Sequence, residues 1–115
     1  MKRNPLYQTE IGGRRLVIVT SAGAPGAPSD LSASSSGATV TLTWKAPTTG
    51  GPPTSYVIEA GSTPGATDLA SLSTGTLSTT FVRNDVPGGR YFVRVRATNV
   101  AGSSGPSNEV VVTAK

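Results

Sequence analysis

Cysteine and histidine are both absent from this sequence of 115 residues, and that absence excludes several kinds of chemistry. Thiolate nucleophiles, disulfides, histidine-based catalytic triads and zinc sites built on cysteine or histidine each need at least one of these residues. Packing alone must therefore hold the fold together, and we expect neither a metal nor a cofactor. Apolar runs of membrane-spanning length are also missing, so no membrane insertion is expected.

Charge is sparse as well, since charged residues make up only 14% of the chain. The net charge of +4 suggests a nucleic-acid function, but it is unevenly distributed. Residues 1–24 hold four basic residues and one acidic residue, a net charge of +3, whereas residues 25–115 hold six basic and five acidic residues. A nearly neutral body is a poor surface for phosphates, and we expect no nucleic-acid partner.

Residues 1–24 are interpreted as an N-terminal extension or linker that precedes a domain spanning residues 25–115. The segment is polar and broken by Pro5, and its charges interrupt the apolar run that a signal peptide needs. Two interpretations of its one apolar run, residues 16–20, stay open. It is a remnant of an upstream domain or of a cloning boundary, or it adds a strand to a sheet edge, within the molecule or between copies. The second would permit self-association through Leu16, Val17, Ile18 and Val19. Residues 21–29 are predicted to be a linker.

Alternation of apolar and polar residues predicts short strands throughout residues 25–115. The first begins near Leu31, and a less regular strand is expected around residues 69–72. Residues 46–54, rich in glycine and proline, are predicted to be a loop. Alternating strands at this spacing, without a helical apolar period, are typical of a two-sheet sandwich. The side chains predicted to point inward are Val40, Leu42, Trp44, Tyr56, Ile58, Ala60, Phe81, Tyr91, Val93, Val95, Ala97, Val110 and Val112.

The same residues form motifs in which the sequence resembles a fibronectin type III domain over about residues 26–114. The matching positions are Pro28-x-x-Leu31, Trp44-x-x-Pro47, Tyr56-x-Ile58, Phe81 five residues before Val86, Pro87-Gly88-Gly89-Arg90-Tyr91-x-Val93-x-Val95-x-Ala97-x-Asn99-x-x-Gly102, and Ser107. The corner before Tyr91 is one residue shorter than the commonest form of the family.

The resemblance implies an all-β, seven-stranded immunoglobulin-like sandwich with sheets A-B-E and C′-C-F-G. It also implies a tyrosine corner, in which the Tyr91 hydroxyl bonds to the backbone near the turn between strands E and F. The loops rich in threonine, glycine and proline are similar to those of modules in bacterial secreted proteins. An extracellular or cell-surface location, with other domains of the parent chain as partners, is therefore expected.

Four aromatic residues, Trp44, Tyr56, Phe81 and Tyr91, are candidates for a sugar-stacking platform. Their position in the alternation places them inside the sandwich, so a structural role in the core is favoured. Burying each ring contributes about 2–3 kcal/mol.

The outward positions of strands C, F and G provide the candidate interaction face. Arg94 and Arg96 form a potential anion-binding stripe beside Arg90, but Glu59 can lie across from them and neutralise it. Val57, Phe92 and Val111 are predicted to form a small apolar stripe over the same three strands, which marks either a contact surface or ordinary packing against arginine stems.

No arrangement of carboxylates in the sequence predicts a catalytic pair, and no general base is available to activate a serine or threonine. We therefore expect a non-catalytic spacer or protein-interaction module of a larger exported bacterial protein. The alternative is a carbohydrate- or protein-binding adhesion module that uses the C-F-G face or the B–C and F–G loops.

Overall fold

The computed structural model describes the backbone of residues 6–11 and 14–19 and all atoms of residues 23–115. These parts of the chain contain ten β-strands and no helix. The first two strands, β1 (Leu6–Ile11) and β2 (Arg14–Val19), form an antiparallel hairpin. The apolar run is thus paired with the residues that precede it, while Thr20 lies outside the described residues. Self-association through this strand stays a prediction.

Eight further strands build the body of the domain. They are β3 (Ser29–Ser36), β4 (Thr39–Lys45), β5 (Ser55–Gly61), β6 (Ala70–Ser73), β7 (Thr80–Arg83), β8 (Gly89–Asn99), β9 (Gly102–Ser103) and β10 (Val110–Ala114). The seven longer ones correspond to strands A, B, C, C′, E, F and G, and β9 is a two-residue addition.

The strands form two antiparallel sheets, with the order β3-β4-β7 in one and β10-β8-β5-β6 in the other. The short strand β9 pairs with the end of β8. In the family's lettering these are the sheets A-B-E and C′-C-F-G, so the predicted fold class is confirmed. The shortened corner before Tyr91 does not alter the topology.

The core lies between the sheets and follows the predicted alternation. Along β4, Val40, Leu42 and Trp44 are buried, and the residues between them are more exposed. Strand β8 is also buried at every second residue, because successive side chains of a strand point to opposite faces. The fully buried part of the core consists of Leu31, Val40, Leu42, Trp44, Tyr56, Ile58, Ala60, Val93, Val95, Ala97, Val112 and Ala114.

The first and last strands of the sandwich are joined by side chains. Asn108 accepts a hydrogen bond from the Leu31 N–H (2.9 Å) and donates one to the Leu31 carbonyl oxygen (3.0 Å). Farther along the same pair of strands, the Ser35 hydroxyl donates to the carbonyl oxygen of Thr113 at 2.8 Å. These bonds connect β3 with β10 and with the residues just before it, and so connect the two sheets.

Candidate functional site

The candidate interaction face is the outer surface of β5, β8 and β10, and strand register decides which of its residues are neighbours. Phe92 lies opposite Val111 on one side and Gly61 on the other, whereas Val57 lies opposite Arg96. Phe92 and Arg96 are four residues apart, about 13 Å along the strand. The structure therefore brings Phe92 and Val111 together and leaves Val57 apart, so the continuous three-residue apolar stripe is not formed.

Charged side chains occupy the space between Phe92 and Val57. Both carboxylate oxygens of Glu59 accept hydrogen bonds from arginines, Oε1 from Arg94 Nε at 2.9 Å and Oε2 from Arg96 Nε at 3.0 Å. Glu109 lies 3.8 Å from Arg94 Nη1. The side chains of Glu59 and Arg94 are only 13% and 15% exposed, so these residues form a largely buried cluster of ion pairs and not a row of free surface cations.

One further N–H group of each arginine holds a loop against the sheet. Arg94 Nη2 donates to the carbonyl oxygen of Gly65 at 2.8 Å, and Arg96 Nη1 donates to that of Ser104 at 3.0 Å. The N–H of Gly65 in turn donates to Glu109 Oε2 at 2.9 Å. Arg94 and Arg96, candidates for an anion-binding stripe that Glu59 could neutralise, thus each make two hydrogen bonds within the molecule.

The electrostatics of Glu59 reflect this arrangement. Burial on its own would raise the pKa of the Glu59 carboxyl group, but the hydrogen bonds and positive charges of Arg94 and Arg96 together outweigh it. The net effect is a pKa lowered from its ordinary value, so Glu59 stays ionised where the two arginines need a counterion.

Arg90 and Phe92 form the remaining part of the face. The guanidinium carbon of Arg90 lies 5.6 Å from the centre of the Phe92 ring, a distance suited to a cation–π contact. Arg90 makes no ion pair with any residue between 23 and 115. Beside it, Val111 is 51% exposed. The part of the outer face that is available to a partner is therefore a small patch of Arg90, Phe92 and Val111.

The candidate stacking aromatics occupy the interior. Trp44 and Tyr56 are 5% and 1% exposed, and their rings meet edge to face with centres 5.2 Å apart. Phe81 and Tyr91 are half-buried against the same core. The Tyr91 hydroxyl donates to the carbonyl oxygen of Pro87 at 2.6 Å, which is the tyrosine corner that the resemblance implies. No open sugar-stacking surface is made by Trp44 or Tyr56.

The B–C loop, residues 46–54, binds the segment that leads into β3, residues 23–28, which we term the strap. Pro25 of the strap forms an isolated antiparallel bridge with Gly50. On either side of it, the Gly26 N–H donates to the Thr49 carbonyl oxygen at 2.9 Å and the Gly51 N–H donates to that of Ala24 at 3.3 Å. Pro25 and Pro28 are buried. The predicted linker is, over these residues, a packed part of the domain.

Asn99 at the end of β8 completes the attachment of the strap. Its Nδ2 donates to the carbonyl oxygens of Gly23 (3.0 Å) and Pro52 (3.1 Å), and its Oδ1 accepts from the Ala101 N–H (2.8 Å). One side chain thus joins the strap, the B–C loop and the F–G turn. The sequence predicted Asn99 only as part of the family motif, since a single asparagine before a turn does not reveal its distant partners.

Two buried serines of the F–G segment bond to β8 through their side chains. Ser104 Oγ accepts from the Ala97 N–H and Ser107 Oγ accepts from the Val95 N–H, each at 2.9 Å. They lie between β9 and β10, where their own N–H groups also donate to the carbonyl oxygens of Ala97 and Val95, each at 2.8 Å. Sequence analysis gave Ser107 only as a motif residue, because serine in a loop usually faces solvent.

Ser107→Ala is expected to lower the free energy of unfolding by about 1–3 kcal/mol, because the buried N–H of Val95 would lose its side-chain acceptor. Urea denaturation of the purified variant measures the effect. Ser103→Ala is the matched control, since Ser103 is exposed, and it should stay within about 0.5 kcal/mol of the parent. Equal stability of both variants would contradict the assigned role.

Within the described part of the chain, no three histidine, cysteine or acidic side chains come together as potential metal ligands. Among residues 6–11, 14–19 and 23–115 there is also no helix long and apolar enough to cross a membrane. The carboxylates of Glu59 and Glu109 lie in the arginine cluster, and Asp30 pairs with Lys45 at the surface.

Fold and surface define an immunoglobulin-like sandwich module. A family model, the fibronectin type III domain, matches residues 26–113, well over half of the sequence. The chain belongs to the fibronectin type III family, a non-catalytic family whose members commonly act as spacers or interaction modules in larger proteins.

Solved structures agree with this assignment. A fibronectin type III-like protein from Clostridium thermocellum is 28% identical, with a TM-score of 0.65 over 80% of this chain and 95% of that one. The structure of titin kinase and its flanking domains is 29% identical, with a TM-score of 0.66. That match covers 82% of this chain but only 18% of the titin chain, so the present sequence spans a small fraction of that relative. Domains d3–d4 of the rat CD45 extracellular region share the fold at 19% identity and a TM-score of 0.71. Comparison with curated protein sequences gave no match.

Proposed function

We propose that this domain is a non-catalytic spacer of a larger exported bacterial protein and that it fixes the direction in which the preceding chain reaches it. The observation that carries the proposal is the strap, which Asn99 and the B–C loop hold with main-chain and side-chain hydrogen bonds. A spacer of this kind has other domains of the parent chain as partners and acts outside the cell or at its surface.

The two ends of the sandwich support this function. The strap lies at the end where Ser29 pairs with Lys45, whereas the Lys115 N–H donates to the Gly37 carbonyl oxygen at the opposite end of β3. Strand β3 has eight residues and is about 26 Å long. The chain is thus held at both ends, and the domain sets both a distance and a direction between whatever it joins.

A second candidate function, binding of a protein or glycan by the C-F-G face, is favoured by the exposed patch of Arg90, Phe92 and Val111. Val57, Arg94 and Arg96 are less suited to it, because Val57 is isolated and both arginines are paired within the molecule. The B–C loop is also less available, since it holds the strap. Phe92→Ser should abolish saturable partner binding if the patch is a contact surface and should leave binding unchanged if it is not.

Asn99→Ala tests the spacer function. We expect amide exchange at Gly26 and Gly51 to speed up by at least tenfold, because the variant loses the bonds that hold Gly23 and Pro52 together. Hydrogen-exchange NMR measures both amides. Asn84→Ala is the matched control, since Asn84 bonds only to the exposed Thr39 hydroxyl among the residues described. Random-coil exchange of both glycines already in the parent protein would end the proposal of a fixed direction.

A further inference from the structure

A cavity of about 480 Å³ opens between the two sheets on the side where β6 and β7 are the outermost strands. Its volume lies in the range of pockets that bury an organic ligand. Apolar side chains from both sheets and from the turn after β7 form its walls, among them Leu42, Ala60, Leu72, Phe81, Val86 and Tyr91.

Small residues at one position of the sheet explain why this space is open. Ala60 of β5 and Ala70 of β6 are register partners, and both line the cavity. Two methyl groups thus face each other at this position, where larger side chains would fill the space. Leu69, at the rim, is 49% exposed, and Phe81 is only half-buried. Apolar surface is therefore accessible at the rim, whereas the deeper walls formed by Leu42 and Ala60 are only 2% and 8% exposed.

The cavity is flanked by β7, whose outer edge is unpaired in the described part of the chain. The Trp44 N–H donates to the Thr79 carbonyl oxygen, so these two residues are a hydrogen-bonded pair at the end of the ladder between β4 and β7. Because such pairs alternate, Phe81 and Arg83 direct their main-chain groups to β4, and Val82 directs its N–H and C=O away from the sheet. Val82 thus offers one donor and one acceptor beside the cavity.

The facing edge of β6 is built in the same way. The Thr74 N–H donates to the Tyr56 carbonyl oxygen, so by the same alternation Ser71 directs its main-chain N–H and C=O away from β5. Neither β6 nor β7 carries a proline or lysine, the residues that commonly protect an exposed strand edge.

Two charges stand at the rim. Arg83 and Asp85 both line the cavity, and neither takes part in an ion pair or a side-chain hydrogen bond with any residue from 23 to 115. Together they present a cationic donor and an anionic acceptor at one opening. A neutral main chain, with its alternating C=O and N–H groups, complements this pair better than an anionic or a cationic head group does.

We propose that this cleft binds an extended peptide segment of a partner protein, which adds as a strand along Val82 of β7 and inserts alternate large apolar side chains into the cavity. Main-chain bonds supply affinity in this mode of binding, and the pocket for every second side chain supplies specificity. The proposal concerns a different surface from the C-F-G face and does not depend on the spacer function.

The test uses the full chain and a capped, lysine-flanked peptide in which leucine alternates with threonine. Titration followed by NMR should shift the amides of Val82 and Ser71 saturably, and it should slow hydrogen exchange at Val82. A peptide N-methylated at its central threonines, which cannot donate these main-chain bonds, should bind at least tenfold more weakly.

Two variants test separately how the edge of β7 and the cavity contribute to peptide binding. Val82→Pro removes an N–H that faces away from the sheet, so the fold should survive while peptide binding is lost. Ala70→Leu fills the cavity and should weaken binding at least tenfold without loss of stability. This variant still tests the proposal if Val82→Pro does not fold. Thr113→Val, at an exposed position of β10 in the other sheet, should bind like the parent.

Three results would overturn the proposal. No binding by the parent protein, with Ala70→Leu more stable, would show a simple packing void. Equal binding of the plain and the N-methylated peptides would show a pocket for small apolar molecules. Concentration-dependent dimerisation that Val82→Pro abolishes, without peptide binding, would show that a second copy occupies the edge.

Discussion

Trp44→Ala is expected to lower the free energy of unfolding by about 3–5 kcal/mol, the largest effect of any single substitution considered. Trp44 is 5% exposed and packs edge to face with Tyr56, so its removal leaves a cavity in the centre of the core and an aromatic ring without its partner. A loss of this size is a large part of the stability of a domain this small. Urea denaturation followed by far-ultraviolet circular dichroism measures it.

Trp44→Phe distinguishes the size of the side chain from its polarity. The indole Nε1 is buried and makes no hydrogen bond of good geometry within the described residues, so phenylalanine mainly sacrifices volume. We expect a loss of about 1–2 kcal/mol, well below that of alanine. A loss as large as that of Trp44→Ala would contradict the absence of a partner for the indole N–H.

Glu59→Gln is expected to destabilise the domain by about 2–4 kcal/mol, the second largest effect. The amide keeps the shape of the carboxylate but leaves the guanidinium groups of Arg94 and Arg96 close together without their shared counterion. Asp30→Asn is the matched control, because the pair of Asp30 with Lys45 is mostly exposed and asparagine tolerates the positive φ of 54°. That variant should stay within about 0.5 kcal/mol of the parent.

The same carboxylate predicts a pH dependence. Because the pKa of Glu59 is lower in the folded state than in the unfolded state, its contribution is present above the unfolded pKa, near 4.5, and is lost as the pH falls through the folded pKa. The difference in stability between the parent and Glu59→Gln should therefore shrink below about pH 4.5. Urea titrations at several pH values measure it, and a constant difference down to pH 2 would contradict the assignment.

The strands and the core were predictable because alternation is a local property of the sequence. The run from Val40 to Trp44 shows which side of β4 is buried without knowledge of any partner strand. The position of Val57 relative to Phe92 was not predictable in this way, because it depends on the register between β5 and β8. A shift of register by two residues changes the neighbours while it leaves the alternation intact.

The packing of the strap against the domain was not predictable for a different reason. Residues 21–29 have the alanine, glycine and proline content of a linker, and composition does not show that Asn99, far away in the sequence, binds Gly23. The hydrogen bonds of Asn108 and Ser107 were not predicted for the same reason, since their partners are main-chain groups of distant strands. The cavity depends on Ala60 and Ala70 meeting across two strands, which again requires the register.

The connection between β3 and β10 has a mechanical consequence. A force that pulls residue 23 and residue 115 apart acts on these two strands in opposite directions and shears them past each other. The two bonds of Asn108 to Leu31 and the bond of Ser35 to Thr113 lie along that seam and share the load, so they must rupture together before the rest of the sandwich extends. Asn108 thus supplies two of the side-chain bonds that resist this tension.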